Sequence, residues 1–210
     1  GMIIGEDFAL GDFDVIGDIT ARKSRKSDSE LFGTAGCFYR PNYERGILIH
    51  SLIIKYNLTS YLEIGYGRGY SAICATIALY KNGGGFIHSI DPHADTNNAL
   101  ELLKKSNIPS NIVSQINILK KKSCDAWKDI RRKYDLIYID GDHTYNAVLN
   151  DWNNCKDRFS KFCLFDDYHM PLKVEKNIEV AKVVDSIDET IYNKELIIMF
   201  CSTPTCYWWC

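Results

Sequence analysis

Three glycines at alternate positions, Gly65, Gly67 and Gly69, join a strand-like run, Tyr61–Ile64, to an apolar helix-like run, Tyr70–Tyr80. Glycines there let the chain turn sharply from strand to helix and let a ligand approach without meeting a Cβ. The run that follows is apolar nearly all round, which suits a helix buried between a sheet and other helices. The same alternation extends along the chain. A helix is expected over Tyr43–Tyr56, with Ile47, Ser51 and Ile54 on one face, and Gly83-Gly84-Gly85 precedes a strand at Phe86–Ile90. Thr96–Lys105 reads as helix, Ile116–Leu119 as extended, Ser123–Lys133 as helix and Asp135–Ile139 as strand. Thr144–Phe159 carries Tyr145, Val148, Leu149 and Trp152 at helical spacing; Phe162–Phe165 reads as strand and Val174–Ile187 as helix. Strands separated by helices require crossover connections and hence a parallel sheet. Glu195–Cys201 and Cys206–Cys210 are strand-like runs whose short gap only a hairpin spans. The expectation is an α/β, doubly wound sheet of seven strands, mostly parallel, with a C-terminal antiparallel hairpin. Residues 43–210 form one domain in this reading. Residues 1–42 are irregular, and disorder, a cover over the site and a dimer contact all remain open for them.

The formal net charge of -2 over 210 residues argues against a partner bound mainly through its phosphates, so no nucleic acid is expected. The run Lys120–Lys122 reads as a solvated turn. The longest apolar run, Ile73–Tyr80, is far short of the roughly 20 residues that span a bilayer, and no leader pattern is visible. No membrane is expected, and a cytoplasmic location is the default. Gly1 before Met2 reads as a cloning remnant. Eight cysteines include no C-x-x-C pair. Cys206 with Cys210, and His88 with His93, have spacings that zinc tolerates, but neither pair has a second half. Cys74 and Cys163 lie in apolar runs and read as core residues.

Open parallel sheets bind ligands beyond the carboxyl ends of their strands. A dinucleotide fingerprint would require glycine at position 70, which is Tyr70. Glu63, just before the glycines, suits a ligand with a cationic amino-acid end and would repel a pyrophosphate. Together these favour S-adenosylmethionine, with Glu63, Gly65, Tyr66, Gly67 and Ser71 at the turn. Asp91, ending the second strand, can accept hydrogen bonds from ribose hydroxyls; capping the next turn is its plainer role. Ser123 and Cys124 are placed to meet an adenine, with Trp127 either beside it or in the core. Ser123 also reads as a helix N-cap.

Asp140 ends the fourth strand and Asp166-Asp167 the fifth. If those strands are neighbours, about 4.8 Å apart, three carboxylates converge. They would raise one another's pKa unless a cation sat among them, and Mg²⁺ with oxygen ligands would serve. Such an ion favours the alkoxide of a substrate hydroxyl, and His143 could take the proton as general base. Capping of helices is the alternative role for Asp166, Asp167 and His143. His169 is a further candidate base.

The segment Tyr134-Asp135-Leu136-Ile137-Tyr138-Ile139-Asp140-Gly141-Asp142-His143-Thr144-Tyr145, with Asp151 and Phe165-Asp166-Asp167-Tyr168 downstream, resembles class I methyltransferases of the methyltransferase domain 24 type. These are related to catechol, caffeoyl-CoA and macrolide-sugar O-methyltransferases. The resemblance implies a Rossmann-like fold and adenosylmethionine as methyl donor, often with Mg²⁺-assisted transfer to a hydroxyl. It places the metal on Asp140, Asp166 and Asp167, and a base on His143. It also implies a small-molecule acceptor, sugar or phenol. The Asp-Asp pair matches neither the sugar-modifying nor the catechol-like pattern, so the acceptor stays open. Homodimers are common in the family, and no feature of this sequence decides that point. The rival readings are an NAD(P)-dependent oxidoreductase and a non-catalytic adenosylmethionine-binding protein. A nucleic-acid or protein methyltransferase is a third, disfavoured for base methylation because the Asn/Asp-Pro-Pro-aromatic segment is missing.

Overall fold

A computed structural model describes residues 43–67, 69–94, 111, 114–168 and 178–195. The chain runs α1 (Tyr43–Lys55), β1 (Ser60–Ile64), α2 (Tyr70–Lys81), β2 (Phe86–Ile90), β3 (Ile116–Leu119), α3 (Ser123–Ala126), β4 (Tyr134–Ile139), α4 (Tyr145–Cys155), β5 (Phe159–Phe165) and α5 (Val180–Ser186). All four strand pairings are parallel, in the order β3-β2-β1-β4-β5. The described sheet thus has five strands, not the expected seven. The runs read as a hairpin lie, but for Glu195, outside the described residues, as do 1–42, Thr96–Lys105 and His169.

Each strand divides its side chains between two cores, because successive residues point to opposite faces. Tyr61, Ile87, Leu136 and Tyr138 pack beneath α1 and α2 with Ile49, Ile53, Ala75, Ala78 and Leu79. Leu62, Ile64, Ile90, Ile137 and Ile139 pack on the other face with Trp127, Val148, Trp152 and Val183. Helix α2 buries eight of its twelve residues, as its uninterrupted apolar sequence requires. Among the described residues no helix is long and apolar enough to cross a membrane.

Two elements end earlier than their sequence pattern suggests. Helix α3 stops at Ala126 and tightens into a 3₁₀ turn, Trp127–Asp129. Residues three apart eclipse in a 3₁₀ turn, and Trp127 and Ile130 are both buried there. Its N-cap is Lys122 rather than Ser123. Helix α4 ends at Cys155 and Phe159 begins β5, paired with Tyr134. Strand pairing overrides the helical spacing that links Trp152 to Phe159.

Candidate active site

The chain order β1-β2-β3 grows to one side, and β4 returns to the other side of β1. The carboxyl ends of β1 and β4 therefore flank the point where strand order reverses, the position that favours a ligand crevice. Ile64 is level with Ile90 and with Ile139, and Ile139 with Phe165. One step beyond the strands, Asp91, Gly65, Asp140 and Asp166 form a row. Gly65 has φ +95°, and a Cβ there would lie 1.8 Å from the carbonyl oxygen of Asp140. Only glycine allows β1 and β4 to approach so closely.

At the glycine turn, Glu63 is wholly buried. Ser71 Oγ and Tyr61 OH donate to its Oε2 at 2.6 and 3.1 Å, and Ser89 Oγ to its Oε1 at 2.7 Å. Burial pushes the carboxyl up to about 7 against the pull of those three hydroxyls. Glu63 and Ser71, expected at a cofactor, thus meet each other and tie the turn to β2 and α2. Tyr66 is buried as well, while Gly67 is exposed. The Gly67 amide donates to Asp91 Oδ2 at 2.7 Å, and the His93 amide to Asp91 Oδ1 at 2.7 Å. A carboxylate has about four lone-pair sites, so Asp91 retains acceptor capacity for two hydroxyls. Ser123 is half-buried and Cys124 exposed. Trp127, by contrast, is a core residue whose indole N–H donates to Asp151 Oδ1 at 2.9 Å.

At the other end of the row, the three acids do converge, but not around an open seat. Arg45 of α1 places Nη1 2.5 Å from Asp140 Oδ2, 2.5 Å from Asp166 Oδ2 and 2.8 Å from the Tyr138 hydroxyl. Tyr138 in turn donates to Asp166 Oδ2 at 2.8 Å. Burial pushes Asp166 up, but Arg45 and the Tyr138 hydroxyl outweigh it and hold the carboxyl below its usual range. Burial and the charge of Asp166 raise Asp140 to about 6 and Asp167 to about 7. Asp167 takes the left-handed conformation, φ 55°, which Asp tolerates better than most residues.

His143 lies between Asp140 Oδ1, 3.5 Å from Nε2, and Asp167 Oδ2, 3.4 Å from Nδ1. Burial lowers the imidazole pKa, yet these acids prevail and raise it. Thr144, not His143, is the N-cap of α4, so the ring is free for the acids. The Glu179 amide pins the His143 carbonyl at 2.8 Å. Ligand atoms of Asp140, His143 and Asp167 lie within 4.8 Å of one another and, among the described residues, form a group that could hold a metal ion. The expected set of Asp140, Asp166 and Asp167 is not formed in that way. A hard ion such as Mg²⁺ prefers oxygen ligands alone, and the available set includes an imidazole. Of that group only the two carboxylates supply the oxygen ligands that Mg²⁺ prefers.

Sequence reasoning missed Arg45, Tyr61, Ser89 and Tyr138. Alternation along β4 places Tyr138 on the face opposite Ile137 and Ile139, and that pattern could have found it. Nothing in the α1 sequence signals that Arg45 reaches across to two strand ends. The readings of Lys121 as a surface residue and of Cys74 as a core residue hold, and His88 has a partner within the sheet. His88 shares a short hydrogen bond with the Tyr134 hydroxyl, Lys121 pairs with Asp129 on the surface, and Cys74 is buried.

A family model described as "Methyltransferase domain" matches residues 62–168, just over half of the 210 residues. No curated protein matches the sequence. Solved structures do. An SAH-bound methyltransferase of Podospora anserina is 14% identical with a TM-score of 0.58, over 76% of this chain and 63% of its own length. The Bacillus cereus O-methyltransferase in complex with SAH is 13% identical with a TM-score of 0.58, over 86% and 78%. The Streptomyces achromogenes O-methyltransferase TomG, involved in tomaymycin synthesis and in complex with SAM, is 13% identical with a TM-score of 0.57, over 88% and 79%. At such identities the likeness is one of fold. The chain spans less than two thirds of the Podospora protein.

Proposed function

The chain belongs to the class I methyltransferase-domain family, and from that premise we propose that it transfers the methyl group of S-adenosylmethionine to a hydroxyl of a small molecule. The observation that carries the reading is the contact of Gly65 with the Asp140 backbone, which sets the glycine turn beside the acids and His143. When bound, S-adenosylmethionine supplies a methyl group activated on a sulfonium. Asp91, with spare lone pairs beside the exposed Gly67, is suited to ribose hydroxyls, and Ser123 and Cys124 follow β3 on the same side. Glu63 acts at one remove, holding the turn through Ser71 and Ser89.

At the other end, His143 accepts the proton of the acceptor hydroxyl on a ring nitrogen. Asp140 and Asp167 on either side stabilise the imidazolium that forms. Expulsion of water by the bound molecules would strengthen these interactions. The sequence favours Mg²⁺ assistance as well, but the donor set does not support that part of the reading. The acceptor is a sugar or a phenol.

Incubation with S-adenosylmethionine and separate panels of phenols, sugars, amines and thiols tests this. Release of S-adenosylhomocysteine that depends on a hydroxyl acceptor, and stops when that hydroxyl is blocked, is the expected result. Methylation confined to amines or thiols would contradict it.

A further inference from the structure

We propose that Arg45 is the resident cation of the acidic cluster, doing there what a divalent metal would do, so that the reaction runs without one; only this last step rests on the methyltransferase reading. The geometry is specific. A single nitrogen, Arg45 Nη1, contacts Asp140 Oδ2, Asp166 Oδ2 and the Tyr138 hydroxyl. An ion bridging those same two Oδ2 atoms, at about 2.1 Å from each, would compete for the place that nitrogen takes. Like charge and overlap forbid both at once.

The seat is also built for a guanidinium. Asp166 is buried, and the Tyr138 hydroxyl accepts from Arg45 while donating to Asp166. Arginine stays protonated, is weakly hydrated, and is the side chain best suited to buried ion pairs. Asp167 places a carboxylate oxygen 3.4 Å from His143 Nδ1. A metal on Asp140, His143 and Asp167 instead would engage the ring nitrogen that the reaction needs as base. An arginine in place of the metal leaves His143 available and still compensates the carboxylates at the strand ends.

Titration with Mn²⁺, followed by the paramagnetic signal of the free ion, reads this without any assay of turnover. The wild-type protein is expected to show no stoichiometric site. Arg45→Met should bind Mn²⁺ at least ~10-fold more tightly than wild type, because it removes a positive charge from between two acids. The gain should vanish when Asp140→Asn is added. Circular dichroism reports whether Arg45→Met folds; if it does not, the wild-type titration alone decides. One Mn²⁺ per wild-type chain that Asp140→Asn or Asp166→Asn removes would overturn the proposal, as would a folded Arg45→Met with no gain in affinity. Turnover insensitive to a chelator is expected of the wild type, and chelator-abolished turnover that Mn²⁺ restores would overturn the metal-free step. Failure to bind S-adenosylmethionine would remove the functional reading and leave the Mn²⁺ result standing.

Discussion

Gly65 lies so close to the main chain of Asp140 that a methyl group on residue 65 would come 1.8 Å from the Asp140 carbonyl oxygen. Gly67, two residues on, has φ +53° and open space around its missing Cβ. The two positions should therefore separate folding from binding. Gly65→Ala is expected to lose more than ~2 kcal/mol in urea unfolding, through a left-handed backbone plus a clash that only strand separation relieves. Gly67→Ala should lose only ~1 kcal/mol. It should nevertheless weaken adenosylmethionine binding, since its methyl group would point into the space a ligand needs.

Glu63 predicts a pH-dependent stability. Its carboxyl is raised from 4.5 to about 7 in the fold, so the folded chain holds that proton more tightly than the unfolded chain. Its contribution is greatest below about pH 4.5 and declines as pH rises to about 7. Glu63→Gln removes the titration. The stability of wild type relative to this variant should fall by up to ~3 kcal/mol between pH 4.5 and 8. A constant difference between the two unfolding curves over that range would contradict the assignment.

His143 predicts the pH profile of turnover. The acids beside it raise its pKa above 6.5, so the base form appears only at higher pH. The rising limb of kcat/KM should lie on the alkaline side of 6.5. Asp167→Asn should move that limb to lower pH, because it removes a carboxylate 3.4 Å from Nδ1. His143→Gln should lower kcat by ~100-fold or more while the protein remains folded. A limb unmoved by Asp167→Asn would assign the base elsewhere.

Trp127 offers a contrast between core and site. Phenylalanine there removes the 2.9 Å donor of Asp151 Oδ1 and leaves it the longer contact from Asn150 Nδ2 at 3.5 Å, which should lower stability by ~1 kcal/mol or more. Affinity for adenosylmethionine should not change. Lost affinity with unchanged stability would put the indole beside the adenine instead.

The parallel, doubly wound core was legible because strand and helix periodicities alternate cleanly from Tyr43 to Phe165. The glycine turn and the acids at 91, 140, 166 and 167 were legible because such sites fall just beyond strand ends. What the sequence hid lies in contacts between distant elements. Arg45 and Asp166 are 121 residues apart, and nothing local to either announces their pairing. The hydroxyl partners of Glu63 were hidden as well, because they come from β1, α2 and β2 and meet only on folding. The 3₁₀ turn after Ala126 and the early start of β5 were hidden for a similar reason, since core packing and strand pairing overrode local spacing there.

Calorimetric titration of S-adenosylmethionine into the wild-type protein and into Asp91→Ala reads the crevice over the β1 and β4 tips most directly. One molecule should bind per chain, with affinity at least ~10-fold weaker in Asp91→Ala, which loses charged hydrogen bonds to the ribose. No heat of binding in folded wild-type protein, or equal affinity in the two, would contradict the account.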